Sequence, residues 1–480
     1  MVLSLQFIAD RIKGELKGPD RRFEGVFTTL GDAGEGDIVI RHWIDDNGVK
    51  MALEKGVCAI ITANPHGGAL KVAGDSGFPI ILVDRIEFAN AFALEWTIKR
   101  FAPETRRLVV TGTNGKSTTT HMIYHILKVS GRKVYTNTDS KSEFNTLIDP
   151  VVPAQIAEES REEELEYLII EVSEVQGWLG RMMKDHAYLM TRAIDPEVVV
   201  ITNVALDHIG LVNSIDEAFW EVSGAVRAMN MGFAVLNCED ERVRSMAKLN
   251  KRVESFFYGD GSSVSYRGDG IYINDRLFLG RNSLPFQSPH FIQNTLAAIA
   301  ACICLKLPMD DIKLGVSSYK PLKRRFSIIS EVPLIVDDFA HNPDGIRATI
   351  ESAAVMGGRL WIVCAIRGSR GKEINIANAT ALAKTIKDLD YNLIVTDSDD
   401  VVDDLNIVKD DEREAFIEVL KKYGIKYIHQ RRLEDALIKA LNGVAEDDTI
   451  LLIGAQGMDP ASKLLGKILK EEKKRDINVN

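Results

Sequence analysis

The sequence lacks the features of a membrane, secreted or nucleic-acid-binding protein. None of its apolar runs approaches the roughly 20 residues that a bilayer-spanning helix requires. Charged residues interrupt the N-terminal segment MVLSLQFIADRIKG, so we do not expect a secretory signal peptide. The 480 residues carry a formal net charge of −10, whereas general nucleic-acid binders usually have a clear basic excess. We therefore expect neither a membrane nor a nucleic acid as a partner.

Cysteine is also scarce. The chain has only five scattered cysteines, and no two of them form a C-x-x-C pair: Cys58, Cys238, Cys302, Cys304 and Cys364. An odd number of dispersed cysteines argues against a disulfide framework and against a structural zinc site. We expect reduced thiols in a cytoplasmic protein.

The length and the apolar pattern both indicate three domains. In the first part of the chain, GDIVI, VCAIIT and FPIILV have the pattern of short strands. After a polar break at KRFAPETRR, apolar strands alternate with helix-like segments, which is typical of a mostly parallel sheet covered on both faces. A second polar break at SYKPLKRRFS precedes another such alternation. We predict an α/β protein with an N-terminal α/β domain (1–106), a central domain with a mostly parallel sheet (107–322) and a C-terminal Rossmann-like domain (323–480).

The segment LVVTGTNGKSTTT, residues 108–120, is the first candidate site. VVTG leads out of a predicted strand and TNGKST leads into a predicted helix, the geometry in which backbone N–H groups and a helix N-terminus bind phosphate. Lys116 would reach the β- and γ-phosphates of a nucleotide, and the Ser117 hydroxyl would bind Mg²⁺. One glycine of the usual P-loop signature is missing, because Val110 occupies its position. We predict a nucleotide-binding loop made of Gly112, Thr113, Asn114, Gly115, Lys116, Ser117 and Thr118.

Acidic groups and a histidine follow two predicted strands of the same domain, where open α/β sheets bind their ligands. Glu171 ends the apolar run of YLIIEV, and Asp207 and His208 follow the run VVVITNVAL. A Mg²⁺–phosphate site often includes carboxylates, with water completing the octahedron. Glu171 is therefore the predicted partner of Ser117 in binding Mg²⁺.

The segment DHIG leaves a second interpretation open. Asp-x-x-Gly after an apolar strand resembles the switch region of P-loop GTPases. However, the chain lacks the Asn-Lys-x-Asp motif that reads guanine, and the spacing of its phosphate loop differs from that class. Both observations disfavour a GTPase.

Three motifs in this order, TGTNGKST, EVS and TNVALDHIG, resemble the Mur ligase family. These are ATP-dependent enzymes that form amide bonds, and they include the folylpolyglutamate synthetases. In that family the short phosphate loop is normal, so Val110 is not a defect. The resemblance implies catalytic roles for Lys116, Glu171 and His208, with His208 holding a second Mg²⁺ near the acyl carboxylate.

The resemblance extends to three later segments. HFIQNTLAAIAAC resembles the family's adenine-binding segment, which makes Asn294 the expected adenine contact. PLKRRF resembles a stretch that places Arg325 near the ATP phosphates, and DDFAHNPDG matches a motif that makes Asp338 the expected ribose contact. Phe291 and Ser327 depart from the family pattern, where Asn and Glu are usual.

A further departure concerns the second metal. Family members usually carry a lysine, carbamylated to form an extra metal ligand, fourteen or fifteen residues after the histidine. Here those positions hold Val222 and Ser223. Either the second metal is held differently, or Glu221 or a water takes the place of the carbamate.

The N-terminal and C-terminal parts bear on the substrate. TTLGDAGEGDIVI and ALEKGVCAIIT resemble the UDP-sugar-binding domain of the enzymes that extend UDP-linked muropeptides, a domain that folylpolyglutamate synthetases lack. Acidic residues at 397–400 and the segment GAQGMD (454–459) replace motifs of the diaminopimelate-adding branch. These carboxylates would suit a cationic substrate such as lysine. The losses make the chain similar to archaeal pseudomurein peptide ligases.

We therefore expect a monomeric, cytoplasmic, ATP- and Mg²⁺-dependent ligase. Its partners would be an amino acid and a UDP-linked peptide precursor of pseudomurein or peptidoglycan type. A folylpolyglutamate-synthetase-like ligase stays an alternative, as does a binding module that kept the fold and lost turnover. Trp178 and His341 have structural interpretations, a packed aromatic and a turn, and Asn145 and Thr146 lie where the family binds its sugar nucleotide.

Overall fold

The computed structural model describes residues 2–138, 150–178, 181–206, 212, 214–285 and 288–479, without the side chains of Trp178, Arg181 and residues 471–479. The chain forms two compact units. The first contains residues 1–287 and 291–319, and the second contains residues 288–290 and 320–480. The predicted division into three domains stays a prediction.

The N-terminal part of the first unit is built on a five-stranded sheet. Its order is β2-β7-β6-β5-β4, with β2 antiparallel to β7 and the other pairs parallel, while β1 and β3 form a separate two-stranded ladder. The strands predicted from GDIVI, VCAIIT and FPIILV correspond to β5, β6 and β7. The strands are β1 (Leu3–Ser4), β2 (Glu15–Lys17), β3 (Arg22–Phe23), β4 (Phe27–Thr28), β5 (Ile38–Ile44), β6 (Ala59–Pro65) and β7 (Ile80–Leu82), and the helices are α1 (Leu5–Arg11), α2 (Asp46–Glu54), α3 (Ala69–Ser76) and α4 (Ile86–Phe101).

The rest of the first unit is built on a nine-stranded sheet. Its order is β18-β17-β16-β15-β14-β13-β8-β10-β9. The strands from β9 to β16 along this order pair in parallel, and β16, β17 and β18 pair antiparallel at one end. Strands β11 and β12 form a separate antiparallel pair. The strands are β8 (Arg106–Thr111), β9 (Val134–Thr136), β10 (Tyr167–Glu171), β11 (Gln176–Trp178), β12 (Arg181–Met183), β13 (Val198–Ile201), β14 (Phe233–Asn237), β15 (Glu254–Tyr258), β16 (Val264–Tyr266), β17 (Gly270–Ile273) and β18 (Arg276–Gly280).

Helices cover both faces of this sheet, as the continuous apolar runs predict. Leu108 and Val110 of β8 belong to the apolar core that includes Ile126 of α5, whereas Val109 belongs to the core on the other face, which includes Met190 of α7. Strand β8 is therefore held from both sides, and its end at Thr111 is rigidly placed. The helices are α5 (Lys116–Val129), α6 (Val151–Glu162), α7 (His186–Ile194), α8 (Ile215–Ala228), α9 (Glu241–Ser245), α10 (Pro289–Cys304) and α11 (Met309–Ser317).

The second unit has a six-stranded sheet of order β19-β20-β24-β21-β22-β23. Only the β19–β20 pair is antiparallel, so the ends of β20, β21, β22 and β24 share one edge. The strands are β19 (Ser327–Glu331), β20 (Leu334–Asp338), β21 (Leu360–Ala365), β22 (Tyr391–Thr396), β23 (Ile428–Gln430) and β24 (Thr449–Ile453), and the helices are α12 (Pro343–Ala353), α13 (Lys372–Ile386), α14 (Asp410–Lys422), α15 (Leu433–Leu441) and α16 (Ala461–Val479). The predicted fold class is confirmed. Among the described residues, no helix combines the length and the apolar character needed to cross a membrane.

Candidate nucleotide-binding site

The predicted phosphate loop lies between β8 and α5 and contains two glycines in the left-handed region. Gly112 has φ +127° and Gly115 has φ +83°, conformations that residues with a side chain rarely adopt. Space is also restricted at both positions. A Cβ atom at Gly112 would come within 2.2 Å of Thr202 Oγ1, and one at Gly115 would come within 2.2 Å of Asn294 Oδ1. Glycine is therefore required at both positions, by the backbone conformation and by the close neighbours.

Asn203 holds the loop in shape, a role that the sequence analysis missed. Its side chain accepts from the Asn114 N–H at 2.9 Å and donates to the Asn114 carbonyl at 2.8 Å. Its backbone carbonyl accepts from the Thr113 N–H at 3.0 Å. The amides of Thr113 and Asn114, which we expected to face phosphate, thus donate within the protein. The first N–H groups of α5 have no acceptor inside the helix, so the first turn of α5 is the part of this segment whose amides suit an anion.

The Lys116 side chain folds back over this loop. Its ammonium donates to the carbonyls of Gly112 at 2.7 Å and Thr113 at 2.8 Å, and to Glu174 Oε2 at 2.8 Å. The side chains of Lys116 and Glu174 are 13 % and 2 % exposed, so this is a buried ion pair. Sequence reasoning found Lys116 but gave no role to Glu174.

Ser117 and Glu171 come together as predicted from the sequence. Strand β10 pairs with β8 so that Glu171 lies opposite Val110, and the Ser117 hydroxyl donates to Glu171 Oε1 at 3.1 Å. The other carboxylate oxygen accepts from the Thr138 hydroxyl at 2.7 Å. The backbone of Glu171 is fixed by Asn137, whose side chain accepts from its N–H at 2.8 Å and donates to its carbonyl at 2.9 Å.

The residues at this position fit a single Mg²⁺ ion. A hydroxyl and a carboxylate in contact, at the N-terminus of α5, are hard oxygen donors of the kind that Mg²⁺ prefers, with water as the remaining ligands. Within the described ranges, no cluster of three or more His, Cys, Asp or Glu side chains is arranged to hold a metal. Asp207 and His208 lie outside the described residues, so the second predicted metal position stays a prediction.

Asn294, the predicted adenine contact, lies on α10 in the same unit as the loop. It is buried, and its side-chain oxygen approaches Gly115. The neighbouring Gln293 donates to Glu239 Oε1 at 2.6 Å, and the same oxygen accepts from the Asp260 N–H at 2.8 Å. These contacts connect the start of α10 to the loops that follow β14 and β15. Phe291 is a buried core residue of the same helix, which accounts for an apolar side chain at a position where the resemblance predicts Asn.

Arg325 and Asp338 lie in the second unit. Asp338 ends β20, and its Oδ1 accepts from the Ala340 N–H at 2.8 Å and from the Thr349 hydroxyl at 3.0 Å. The Arg325 guanidinium lies 5.1 Å from the centre of the Phe339 ring. His341 donates through Nδ1 to the Phe339 carbonyl at 2.8 Å, which agrees with the turn role expected for it.

The adjacent Arg324 has a structural role. Its guanidinium is buried and binds Asp337 at 3.4 Å, the Ala455 carbonyl at 3.2 Å and the carboxylate of Asp459. It therefore ties the segment GAQGMD to the end of β20. The two arginines of PLKRRF, which look equivalent in the sequence, have different surroundings.

The acidic residues at 397–400 already have partners. Asp397 is buried and binds Arg413 at 2.8 Å and His429 at 3.0 Å, while Asp399 binds Arg431 at 2.8 Å. Asp400 accepts from the first backbone N–H groups of α15, those of Leu433 at 2.7 Å and Glu434 at 3.2 Å. These carboxylates, like Asp459, are neutralised inside the protein. The structure therefore does not support their use in attracting a cationic substrate.

The two positions where the resemblance predicts a lysine are buried. Val222 and Ser223 are completely buried in α8. Glu221 is the residue that could take the place of the carbamate. It is also buried, and its Oε2 has no hydrogen-bond partner among the described residues. Burial, with the nearby charge of Asp185, raises the pKa of Glu221 to about 7. Asn145 and Thr146 lie outside the described residues, as does the side chain of Trp178.

An aromatic surface in the N-terminal part was not predicted. Strands β5 and β6 continue beyond their other neighbours, because β4 pairs only with Ile38 and Val39 of β5. On this extension Trp43 is 36 % exposed, its ring centre is 6.0 Å from that of His66, and the Arg41 guanidinium lies 5.2 Å from it. The sequence signal was the polar and aromatic triplet RHW inside an otherwise apolar strand.

Comparison with known sequences gives matches to one family. The Mur ligase middle domain matches residues 110–302, and the Mur ligase, glutamate ligase domain matches residues 324–456. The chain is 32 % identical over 281 residues to the UDP-N-acetylmuramate–L-alanine ligase of Syntrophomonas wolfei, and the match covers 54 % of each protein. It is 24 % identical over 450 residues to the UDP-N-acetylmuramoyl-L-alanyl-D-glutamate–2,6-diaminopimelate ligase of Listeria monocytogenes, covering 88 % of this chain and 85 % of that protein. The chain thus spans about half the length of the first of these relatives and most of the second.

Solved structures share the fold over nearly the whole chain. MurF from Acinetobacter baumannii superposes with a TM-score of 0.71 at 18 % identity, covering 98 % of this chain and 99 % of that one. A pseudomurein peptide ligase type C from Methanothermus fervidus superposes with a TM-score of 0.59 at 21 % identity, covering 90 % and 95 %. At these identities the likeness establishes the fold.

Proposed function

Because the chain belongs to the Mur ligase family, we propose that it is an ATP-dependent ligase that adds an amino acid to a UDP-linked cell-wall peptide precursor. The observation that carries the proposal is the arrangement at the start of α5. There the ammonium of Lys116 is hydrogen-bonded to the glycine-bounded loop, and the next residue, Ser117, donates its hydroxyl to the buried carboxylate of Glu171. This is the donor set that phosphoryl transfer from ATP requires.

The reaction has two steps. In the first, an oxygen of the acceptor carboxylate forms a bond to the γ-phosphorus of ATP, the bond between that phosphorus and the β,γ-bridging oxygen breaks, and ADP leaves. In the second, the amine of the incoming amino acid attacks the carbonyl carbon of the acyl phosphate, a C–N bond forms, phosphate leaves and the nitrogen loses a proton. Two anions must approach each other in the first step, so neutralisation of charge is the main requirement.

The residues of the loop can supply this neutralisation. Lys116 contributes a positive charge at the phosphates, and the first-turn amides of α5 contribute the positive end of the helix dipole. Ser117 and Glu171 would hold Mg²⁺, which when bound adds positive charge at the phosphate oxygens. In this proposal Asn294 contacts adenine, Asp338 contacts ribose, Arg325 lies near the phosphates and His208 holds a second metal.

The proposal includes a UDP-linked acceptor. The exposed Trp43, with Arg41 and His66 beside it, offers a flat apolar surface and a cation, which suit a nucleobase and a diphosphate. UDP-N-acetylmuramate and its peptides also appear in the names of the relatives. We favour a precursor of pseudomurein type over peptidoglycan type, because the segments 397–400 and 454–459 have lost the motifs of the diaminopimelate-adding branch. The proposed enzyme acts as a monomer in the cytoplasm.

The test is ADP release by the purified protein with ATP, Mg²⁺, a panel of UDP-linked cell-wall peptides and one amino acid at a time. Mass spectrometry of the products gives the mass gain, and the Lys116→Ala protein serves as the control. We expect one amino acid to trigger both ADP release and a matching mass gain. Activity with folates and glutamate instead would show a folylpolyglutamate-synthetase-like ligase, and GTP hydrolysis without an amine would show a GTPase. Absence of turnover with all substrates would contradict the proposal.

A further inference from the structure

Two buried carboxylates follow each other at the end of β10, and they have different partners. Glu171 accepts from the hydroxyls of Ser117 and Thr138. Glu174, three residues later, accepts from the ammonium of Lys116. Glu171, which we assign to Mg²⁺, and Glu174, which binds the Lys116 ammonium, therefore have separate roles.

Lys116 has used all of its donors in this arrangement. A protonated lysine has three N–H groups, and these point to the carbonyls of Gly112 and Thr113 and to Glu174. A phosphate oxygen can contact the ammonium only if at least one of these three bonds is released. The loop carbonyls are part of the structure that binds phosphate, so the bond to Glu174 is the one in direct electrostatic competition with an anion.

Glu174 is held at a fixed position by its own segment. The Val172 N–H donates to the Val110 carbonyl at 2.9 Å, which continues the β8–β10 pairing past the end of the strand. The Ser173 hydroxyl donates to the Val175 carbonyl at 2.9 Å, and the Ser173 carbonyl accepts from His186 Nδ1 at 2.8 Å. His186 is buried and burial lowers its pKa, which keeps the ring neutral with the proton on Nδ1. If the Lys116 ammonium moves away to contact a phosphate, the Glu174 carboxylate therefore cannot move with it over a long distance.

We propose that Glu174 is a positioning residue for Lys116, which competes with the γ-phosphate of ATP for the ammonium and thereby sets the affinity of the loop for ATP. Before ATP binds, Glu174 compensates the charge of a nearly buried lysine and holds it over the loop. When the triphosphate arrives, the attraction between Glu174 and Lys116 must be overcome before the ammonium can contact the γ-phosphate, because opposite charges at short distance in a water-poor site attract strongly. The inference rests on the proposed function, since it requires ATP at this loop.

The test is calorimetric binding of Mg²⁺ complexes of ADP and of a non-hydrolysable ATP analogue to the full chain and to the Glu174→Gln variant. Glutamine keeps a hydrogen-bond acceptor for Lys116 and removes the charge. We expect the variant to bind the ATP analogue about 3- to 10-fold more tightly, with a smaller change for ADP. In a Lys116→Met background the same substitution should lose this selective gain for the analogue. Glu166→Gln is the matched control, because Glu166 is a partly exposed carboxylate that also pairs with a cation, Arg132, and it lies just before the opposite end of β10.

Unchanged or weaker binding of the ATP analogue by Glu174→Gln would overturn the inference, since the ion pair would then be structural or would assist binding. If Glu174→Gln does not fold, as judged by circular dichroism and thermal unfolding, Glu174→Asp replaces it. Aspartate keeps the charge but retracts it by one methylene, so a smaller gain in affinity is expected, and none would overturn the inference. Failure of the unsubstituted protein to bind any nucleotide would instead refute the proposed function itself.

Discussion

The side-chain oxygen of Asn294 lies so close to Gly115 that a Cβ atom on Gly115 would come within 2.2 Å of it. The two residues are far apart in sequence, and different predictions were attached to them, adenine contact for one and phosphate loop for the other. Their proximity means that the start of α5 and the first half of α10 are packed against each other at the candidate site. A substitution at Gly115 should therefore displace the Asn294 side chain.

Substitution of Gly115 by alanine should damage nucleotide binding without unfolding the protein. The new methyl group would meet Asn294, and alanine is strained at φ +83° by about 1 kcal/mol. We expect ATP affinity to fall by about tenfold or more, measured by calorimetry. Gly131→Ala is the control, because Gly131 follows α5 with φ +75° and has open space around its Cβ position. Equal losses of ATP affinity in the two variants would show that backbone strain alone is responsible.

Substitution of Ser117 by alanine should raise the Mg²⁺ requirement. The hydroxyl is one of two protein oxygens that we assign to the ion, and the other, Glu171, also loses a hydrogen-bond donor. We expect the Mg²⁺ concentration for half-maximal activity to rise by about tenfold or more. Ser117→Thr keeps the hydroxyl and should restore the normal requirement. Ser130→Ala, at the other end of the same helix, should have no effect on it.

The sequence was sufficient to locate the loop and Glu171 because both follow from local pattern. The loop is recognisable because its strand, glycine-rich turn and helix are contiguous in sequence. Glu171 is recognisable because it ends an apolar run typical of a strand in a parallel sheet, and parallel strands place their carboxyl ends at the same edge of the sheet. Asn203 and Glu174 could not be found in this way. Their roles depend on the register between β10, β8 and β13, which places single side chains against one loop, and no sequence period encodes that register.

The acidic segment at 397–400 shows the opposite failure. Its charge is visible in the sequence, but its counter-ions are not, because Arg413 lies on the later helix α14, His429 on strand β23 and Arg431 directly after that strand. The sequence therefore suggests a binding surface, whereas in the structure these carboxylates bind partners within the protein. A cluster of charged residues in a sequence therefore indicates a ligand-binding site only when the protein itself does not supply the counter-ions.

Activity should not depend on added bicarbonate. A carbamate forms on a lysine amine, whereas the two positions expected to hold that lysine are Val222 and Ser223, both completely buried. The measurement is turnover in buffer depleted of carbon dioxide, with and without bicarbonate. A marked stimulation by bicarbonate would show that another lysine carries the modification.

Removal of the Trp43 ring should weaken binding of the UDP-linked acceptor. Stacking of a base on an aromatic ring contributes about 1–3 kcal/mol, so Trp43→Ala should raise the KM for the acceptor by about tenfold and leave the KM for ATP unchanged. The control is Trp220→Ala, which removes another exposed tryptophan from α8. If only the KM for ATP changes, the surface around Trp43 does not bind the acceptor.

Glu221 should make the folded protein less stable as the pH rises. Burial raises its pKa from 4.5 to about 7, so the folded state holds the proton more tightly than the unfolded state. Between pH 4.5 and about 7, the unfolded chain therefore releases the Glu221 proton while the folded chain keeps it. As a result, the free energy of unfolding falls as the pH rises from about 4.5 through 7. The whole effect is at most about 3 kcal/mol.

Glu221→Gln removes the titration while keeping the shape of the side chain. We expect the variant and the unsubstituted protein to have similar free energies of unfolding at low pH, and the variant to be more stable in mildly alkaline buffer by about 1–3 kcal/mol, measured by denaturant unfolding. Glu158→Gln, on the exposed face of α6, should follow the unsubstituted protein across the range. Parallel pH profiles for Glu221→Gln and the unsubstituted protein would mean that Glu221 is ionised at neutral pH in the folded state. The carboxylate would then have a cationic partner, and a metal ion would be the first to test.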